Sequence, residues 1–349
     1  MSFFKNVFYR KAAGNEGKNR DAGEQRFSVV KPLQAGHGTR VFAIGGGKGG
    51  VGKSLITSNM GALLAKRGRK VLMVDADLGA ANLHTFFGLS GSKLSFSSFL
   101  KSEVADIRQV ISKTDMPELD LISGAKDSLD AADMGGGVVT RLRQELRSLD
   151  YDYALLDIGP GTSSNILDMF LLADHGILVT TPEPTATENT YRFLKCLFLY
   201  RIKKIINSQK DTELKDLLLK VFGSRPDQKV KTVSDILNRL RELDPRRGKI
   251  LGDLLGDTMI SIILNQARPA DKQMGANIKK ACFDYFGVPI GYLGDIAFDD
   301  AASESIRKRT PLTVYDSRSA AANGIGASLD RLLDLEGEGR METASGNPF

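Results

Sequence analysis

The run Gly45-Gly46-Gly47-Lys48-Gly49-Gly50-Val51-Gly52-Lys53-Ser54 sets six glycines around two lysines and a serine. Glycines let successive backbone N–H groups turn inward around phosphate oxygens, and a helix opening at Ser54 adds its dipole. Lys53 is placed to neutralise the terminal phosphates of a nucleoside triphosphate, and Ser54 to ligate Mg2+. Gly47, Lys48, Gly49, Gly50, Val51, Gly52, Lys53, Ser54 and Leu55 are the residues expected to line the nucleotide.

Carboxylates follow at two strand ends. Asp75 and Asp77 close the apolar run Val71–Val74, and residues i and i+2 of a strand face the same side, so both can serve one metal site. The run Tyr153–Leu156 ends in Asp157, which would hold Mg2+ through water.

Lys48-Gly49-Gly50-Val51-Gly52-Lys53-Ser54 resembles the deviant Walker A motif of the MinD/ParA group of ATPases. The resemblance spans roughly residues 40–335 and implies an ATP-sandwiched homodimer with slow, Mg2+-dependent hydrolysis. Lys48 would then reach across to the partner's nucleotide, where an extra cation stabilises the transferring phosphoryl group as an arginine finger does. Lys48, Asp77 and Lys53 are the implied catalytic residues. In Val74–Leu83, Asp77 would orient the attacking water and Asp75 would stand behind the metal; Ser54, Asp75 and Asp157 form the implied metal set. Ile158-Gly159-Pro160-Gly161-Thr162 resembles a switch II loop, with Gly159 or Gly161 offering an amide near the γ-phosphate. It departs from the commonest version, which has proline and alanine where Gly159 and Pro160 stand. Asn265 resembles the family's adenine-contacting asparagine, with Gln266 and Arg268 beside it.

Pro182-Glu183-Pro184-Thr185 and Asn265-Gln266 are most similar to the FlhG/FleN branch, which controls flagellar placement and number. Two other readings stay open: a ParA-like partitioning ATPase that binds DNA non-specifically, and a partner-binding scaffold with vestigial hydrolysis. Iron–sulfur relatives that share the loop need cysteines placed to share a cluster. Cys196 and Cys282 each lie in a helical pattern and belong to no C-x-x-C pair, so they read as small buried hydrophobes. The tyrosine kinases of this fold carry a C-terminal tyrosine cluster, and no tyrosine follows Tyr315.

These side chains need a scaffold that brings strand ends together. Val41–Ile44, Val71–Val74, Leu119–Ile122, Tyr153–Leu156, Gly176–Thr181, Met259–Leu264 and Pro289–Leu293 read as strands buried on both faces. Helical spacing between them, as in Ser54–Arg67, Asn165–Leu172 and Glu188–Lys204, predicts a P-loop α/β fold: a mostly parallel twisted sheet with helices on both faces. Residues 201–258 show helical patterns, Leu214–Phe222 and Val233–Leu243, without a strand, and read as a helical insertion bounded near Pro226 and Pro245. The chain divides into a mobile basic arm at 1–39, an ATPase domain at 40–335 and an acidic flexible tail at 336–349.

Charge separates the parts. Of 349 residues, 48 are Lys or Arg and 42 Asp or Glu, a net +6. Residues 1–40 carry 8 basic and 3 acidic side chains and residues 201–249 carry 14 and 7, so the excess lies outside the nucleotide-binding body. The insertion, with Lys203-Lys204 and Arg246-Arg247, would be the DNA-contacting surface of the ParA-like reading. Phe3, Phe4, Val7 and Phe8 fall on one helical face flanked by Lys5 and Arg10, a pattern suited to reversible membrane or partner docking by residues 1–11. In FlhG relatives the N-terminus instead stimulates an SRP-type GTPase, and this chain has no clear copy of that activating motif. Asp330, Asp334, Glu336, Glu338 and Glu342 make the C-terminal end acidic, against attachment there to an anionic bilayer. No run approaches the ~20 apolar residues of a membrane span and no signal peptide is evident. The expected location is cytoplasmic, peripheral at the inner face of the cell membrane.

Overall fold

A computed structural model describes residues 38–79, 81–89, 94–124, 136–208, 212–223, 232–271 and 273–345. Eight strands form one sheet: β1 (Arg40–Gly45), β2 (Val71–Ala76), β3 (Ile111–Lys113), β4 (Leu119–Ile122), β5 (Tyr153–Ile158), β6 (His175–Thr180), β7 (Met259–Ala267) and β8 (Gly291–Ala297). Their order is β3-β4-β2-β5-β1-β6-β7-β8. Every pairing is parallel except β3 with β4. β2 and β6 are buried from end to end, and β1 and β5 at every residue but the first, as helices on both faces require.

The sequence pattern missed β3. It is three residues long, half exposed and antiparallel at the sheet edge, so it carries no apolar run. β8 starts later than the sequence pattern predicts, at Gly291, because Pro289 has no N–H for the ladder.

Helix α1 (Lys53–Lys66) follows the phosphate loop and buries Leu55, Ile56, Met60 and Leu64. Burying each such side chain is worth about 1.5–3 kcal/mol, which anchors the loop on a rigid element. The remaining helices are α2 (Phe96–Leu100), α3 (Gly136–Ser148), α4 (Ser164–Leu172), α5 (Pro184–Ser208), α6 (Thr212–Gly223), α7 (Val233–Leu243), α8 (Pro245–Gly256), α9 (Met274–Phe286), α10 (Asp300–Arg307), α11 (Leu312–Tyr315) and α12 (Ala320–Ser345). α5 begins at Pro184, four residues before the predicted start, with the Glu183 carbonyl accepting from Ala186 and Thr187. Proline suits a first helical turn, where its missing N–H costs nothing.

α6, α7 and α8 make up the insertion, and among its described residues there is no strand. α7 buries Val233, Ile236, Leu237 and Leu240, an i, i+3, i+4, i+7 stripe, and is capped by Thr232 paired with Asp235. Asp244 caps α8 and Pro245 opens it. Pro226 lies outside the described residues, as does the 1–11 stripe.

Part of the insertion's charge is used internally. Arg247 pairs with Asp244 at 2.6 Å and with Glu213, and Lys204 pairs with the buried Asp168. Of the residues named for DNA contact, these two are already held by carboxylates.

α12 packs Ala321, Ile325, Leu329 and Leu332 toward β8 and α1. It runs on to Ser345, through the stretch that the sequence reading assigns to a flexible tail. Glu336, Glu338, Arg340, Met341, Glu342 and Ala344 are mostly strong helix formers and outweigh Gly337 and Gly339. No helix among the described residues is long and apolar enough to cross a membrane.

Candidate functional site

The carboxyl ends of β1, β2, β5 and β7 converge, the edge at which open α/β sheets bind ligands. The loop leaving β1 is closed on one side and open on the other. A Cβ on Gly47 would lie 2.2 Å from the Asn189 carbonyl oxygen, and one on Gly46 3.0 Å from that of Val179. Around Gly49 and Gly50 there is no atom within 4 Å of the corresponding position. Gly50 and Gly52 take φ of 79° and 96°, the left-handed region that glycine enters without strain. The loop is a shallow cradle backed by protein, with Lys53 buried at its floor.

Asp157 sits behind that cradle, in register with Ile44 of β1 and Asp75 of β2. The hydroxyls of Ser54 and Thr57 and the charge of Lys53 lie near its carboxylate and favour the ionised form, against burial. Its Oδ1 is buried and makes no hydrogen bond among the described residues. A buried, unsatisfied carboxylate oxygen beside a serine hydroxyl is a hard-oxygen donor pair, the chemistry Mg2+ takes when phosphates and water complete its shell. Ser54 and Asp157 therefore fit a magnesium ion.

Asp75 is fully buried and faces the backbone of its own segment: its oxygens accept from Leu83 N at 2.9 Å and Asp77 N at 3.3 Å. It ties the Asp77 and Leu83 amides to the end of β2. Asp77 is half-buried, accepts from Gly79 N at 3.3 Å and covers Gly159, where a Cβ would lie 2.9 Å from its Oδ1. The segment after β2 thus packs directly on the loop after β5.

Lys48 is paired with groups that follow β6. Its Nζ lies 3.0 Å from Glu183 Oε2 and 3.3 Å from Thr185 Oγ1, with the side chain 42% exposed. Asn265 is only 2% exposed, and its Nδ2 donates to the Val51 carbonyl at 2.9 Å. Gln266 is exposed beside it, and Arg268 stacks over the exposed Phe298 ring at 5.2 Å. The sequence reading names Glu183 and Thr185 only as a motif; nothing local marks them as partners of a lysine 135 and 137 residues away.

Residues 42–312, from β1 to α11, match the CobQ/CobB/MinD/ParA nucleotide-binding domain. The chain belongs to this family. Among its MinD/ParA relatives, the septum site-determining protein MinD of Synechocystis is 27% identical over 285 residues, covering 77% of this chain and 98% of that protein. The flagellum site-determining protein YlxH of Helicobacter pylori is 34% identical over 168 residues, covering 45% and 53%. MinD from Pyrococcus horikoshii, solved with Mg-ADP, has the same fold, with a TM-score of 0.56 and 22% identity over 86% of this chain and 98% of that one. MinD/ParA proteins are ATPases, so ATP hydrolysis is in keeping with the family.

Burial pushes the Asp157 carboxyl up to about 6, against the Ser54 hydrogen bond and the Lys53 charge, and pushes Asp75 up to about 7. A raised carboxyl holds its proton in the folded state where the unfolded chain has lost it. Its contribution to stability is therefore present below about pH 4 and is lost as pH rises through the folded value. His175, pushed down to about 4 by burial, works the other way between about 4 and 6.5, so the test is a difference between two proteins. Asp157→Asn is expected to raise ligand-free stability at pH 7.5 by on the order of 1–3 kcal/mol. That gain should vanish by pH 4. Urea unfolding of both proteins across this range checks it, and a gap independent of pH would contradict the role given to burial.

Proposed function

We propose that this chain is an ATP-dependent dimerising switch that sets the position or number of a cellular structure, flagella being the structure favoured by the 182–185 and 265–266 motifs and by the likeness to YlxH. The observation that carries the reading is Lys48: a half-exposed cation of the phosphate loop, held among the described residues by the exposed Glu183 and Thr185. A lysine that served its own nucleotide would point into the loop; one paired outside it is available to a second nucleotide across an interface. Lys53 and the loop amides bind the phosphates, Ser54 and Asp157 hold Mg2+, and Asp77 aligns water against the γ-phosphate. The bound metal supplies charge neutralisation between the phosphates. Asp75 and Gly159 keep Asp77 in place.

The likeness to a flagellum site-determining protein and to septum site-determining proteins supports a positioning role. Light scattering and phosphate release, each with Mg-ATP and with Mg-ADP, test the reading. The chain is expected to be monomeric with ADP, dimeric with ATP and to turn over more slowly than about one per second, below the usual enzyme range. A chain that stays monomeric with ATP would refute the switch.

A further inference from the structure

The amino edge of the sheet, at the other end of the strands from the phosphate loop, is dense in charge, and its carboxylates are engaged. Asp152 accepts from Arg40 N through its carbonyl at 3.0 Å and from Lys70 N through its carboxylate at 2.8 Å. Asp150 pairs with Lys70 at 2.6 Å, Asp106 with Arg108 at 3.3 Å, and Asp174 with Arg147. The second oxygen of Asp174 accepts from Val41 N at 2.9 Å, so both oxygens of that carboxylate are occupied.

Arg143 is the exception. It stands one turn before Arg147 on the same face of α3, a helix seated by the buried Leu142 and Leu146. Among the described residues it has no hydrogen-bond or ion-pair partner. Its Nε is buried and unbonded, as is that of Arg147, while its Nη groups reach the surface. Its own helix offers no carboxylate: Val139 and Thr140 lie one turn before it, Leu146 and Arg147 one turn after. Burial and the charge of Arg147 both hold its guanidinium below the ordinary pKa, and Asp174 pulls the other way. The dipole of α3 accounts for Arg147 in the last turn, but that effect fades before Arg143. A half-buried cation beside a like charge, with no acceptor, is costly, and buried polar groups in native chains otherwise find partners.

We propose that Arg143 and Arg147 form a binding site for a phosphoryl group, separate from the nucleotide site. Two guanidinium forks on one helix face offer more N–H groups than the two oxygens of a carboxylate can accept. A phosphoryl group has a further oxygen for the second fork, and it can bind while Arg147 keeps its hold on Asp174. β1 is six residues long, which sets this site roughly 20 Å from the phosphate loop, too far for one triphosphate to serve both. The phosphoryl group belongs to a small phosphate ester or to the headgroup of an anionic lipid, and the test separates these sources.

The full chain, held in saturating Mg-ADP, is titrated with inorganic phosphate, with glycerol 3-phosphate and with phosphatidylcholine vesicles containing phosphatidylglycerol. The readout is the set of arginine Nε–H signals in the NMR spectrum of protein labelled with 15N-arginine. The Arg143 signal is assigned by its absence from Arg143→Gln. That signal should shift on titration, and Arg143→Gln should bind the same ligand about tenfold or more weakly, the loss of one charge-assisted hydrogen bond. Arg143→Lys, which keeps the charge without the fork, should fall between the two. Affinity for Mg-ADP should stay within about threefold in both variants, since neither touches the phosphate loop. A response to the two soluble ligands assigns the site to a small phosphate ester, and a response to phosphatidylglycerol vesicles alone assigns it to a lipid headgroup. No shift with any of the three, or equal affinity in Arg143→Gln, would overturn the site.

Discussion

Lys48→Ala is expected to leave Mg-ADP binding by the monomer within about threefold of the parent while removing ATP-dependent dimerisation. Turnover should fall by about 10²–10³-fold, the loss typical when one group stabilising transition-state charge is removed. The argument starts from geometry. In the single chain, Lys48 is paired with Glu183 and Thr185, which follow β6, so its removal is expected to take little from the monomer's phosphate contacts. An ion pair this exposed contributes about 0–1 kcal/mol, so a desolvated triphosphate of the facing subunit can draw the lysine off Glu183. Calorimetry with ADP, light scattering with ATP and phosphate release measure the three effects separately. Mixing adds a sharper reading. A Lys48→Ala chain keeps its own Asp77, and an Asp77→Ala chain keeps its own Lys48. A heterodimer of the two holds one complete site if the lysine acts across the interface, so the mixture should recover part of the turnover that each variant lacks alone. No recovery, or a large loss of ADP affinity in Lys48→Ala, would place the lysine in its own site.

Legibility in the sequence follows how far each signal reaches along the chain. The phosphate loop was readable because its chemistry is local: strand, glycines, lysine, serine and helix lie within one turn of one another. The buried strands were readable because a parallel sheet covered on both faces leaves continuous apolar runs. β3 was not, since an edge strand of three residues, ending in Lys113, leaves no run to see. Contacts that join the pieces were also out of reach. Lys48 and Glu183 are 135 residues apart and Asn265 and Val51 are 214 apart, and each contact exists only because the strand order sets β6 and β7 beside β1. A resemblance can place Asn265 at the site, but which way its amide turns depends on the irregular pairing after Leu264 and on Gln266, which no periodicity reports. The end of α12 is a different case: its mix of glycine and glutamate suggests a frayed tail, and the helix anchored by Ile325, Leu329 and Leu332 continues to Ser345.

Asp77→Ala is expected to bind Mg-ATP, dimerise and then remain dimeric, with turnover reduced about 10²-fold or more. The position of Asp77 separates it from its neighbours. Asp157 is buried beside Ser54, where its loss would remove a metal ligand and weaken nucleotide binding. Asp75 is buried against the Asp77 and Leu83 amides, where its loss would unseat the segment. Asp77 stands half-buried above Gly159, nearer solvent than either, so truncating it leaves the metal pair and the backbone of both loops intact. What disappears is a carboxylate at the point where the segments after β2 and β5 meet. A base that orients water there acts on the chemical step and not on assembly, so ATP should still close the dimer and hydrolysis should fail to open it. Gel filtration over hours distinguishes this from Lys48→Ala, which should never form the dimer at all. If Asp77→Ala hydrolyses ATP at the parental rate, water is aligned by another group, and the amides of Gly159 or Gly161 become the next to test.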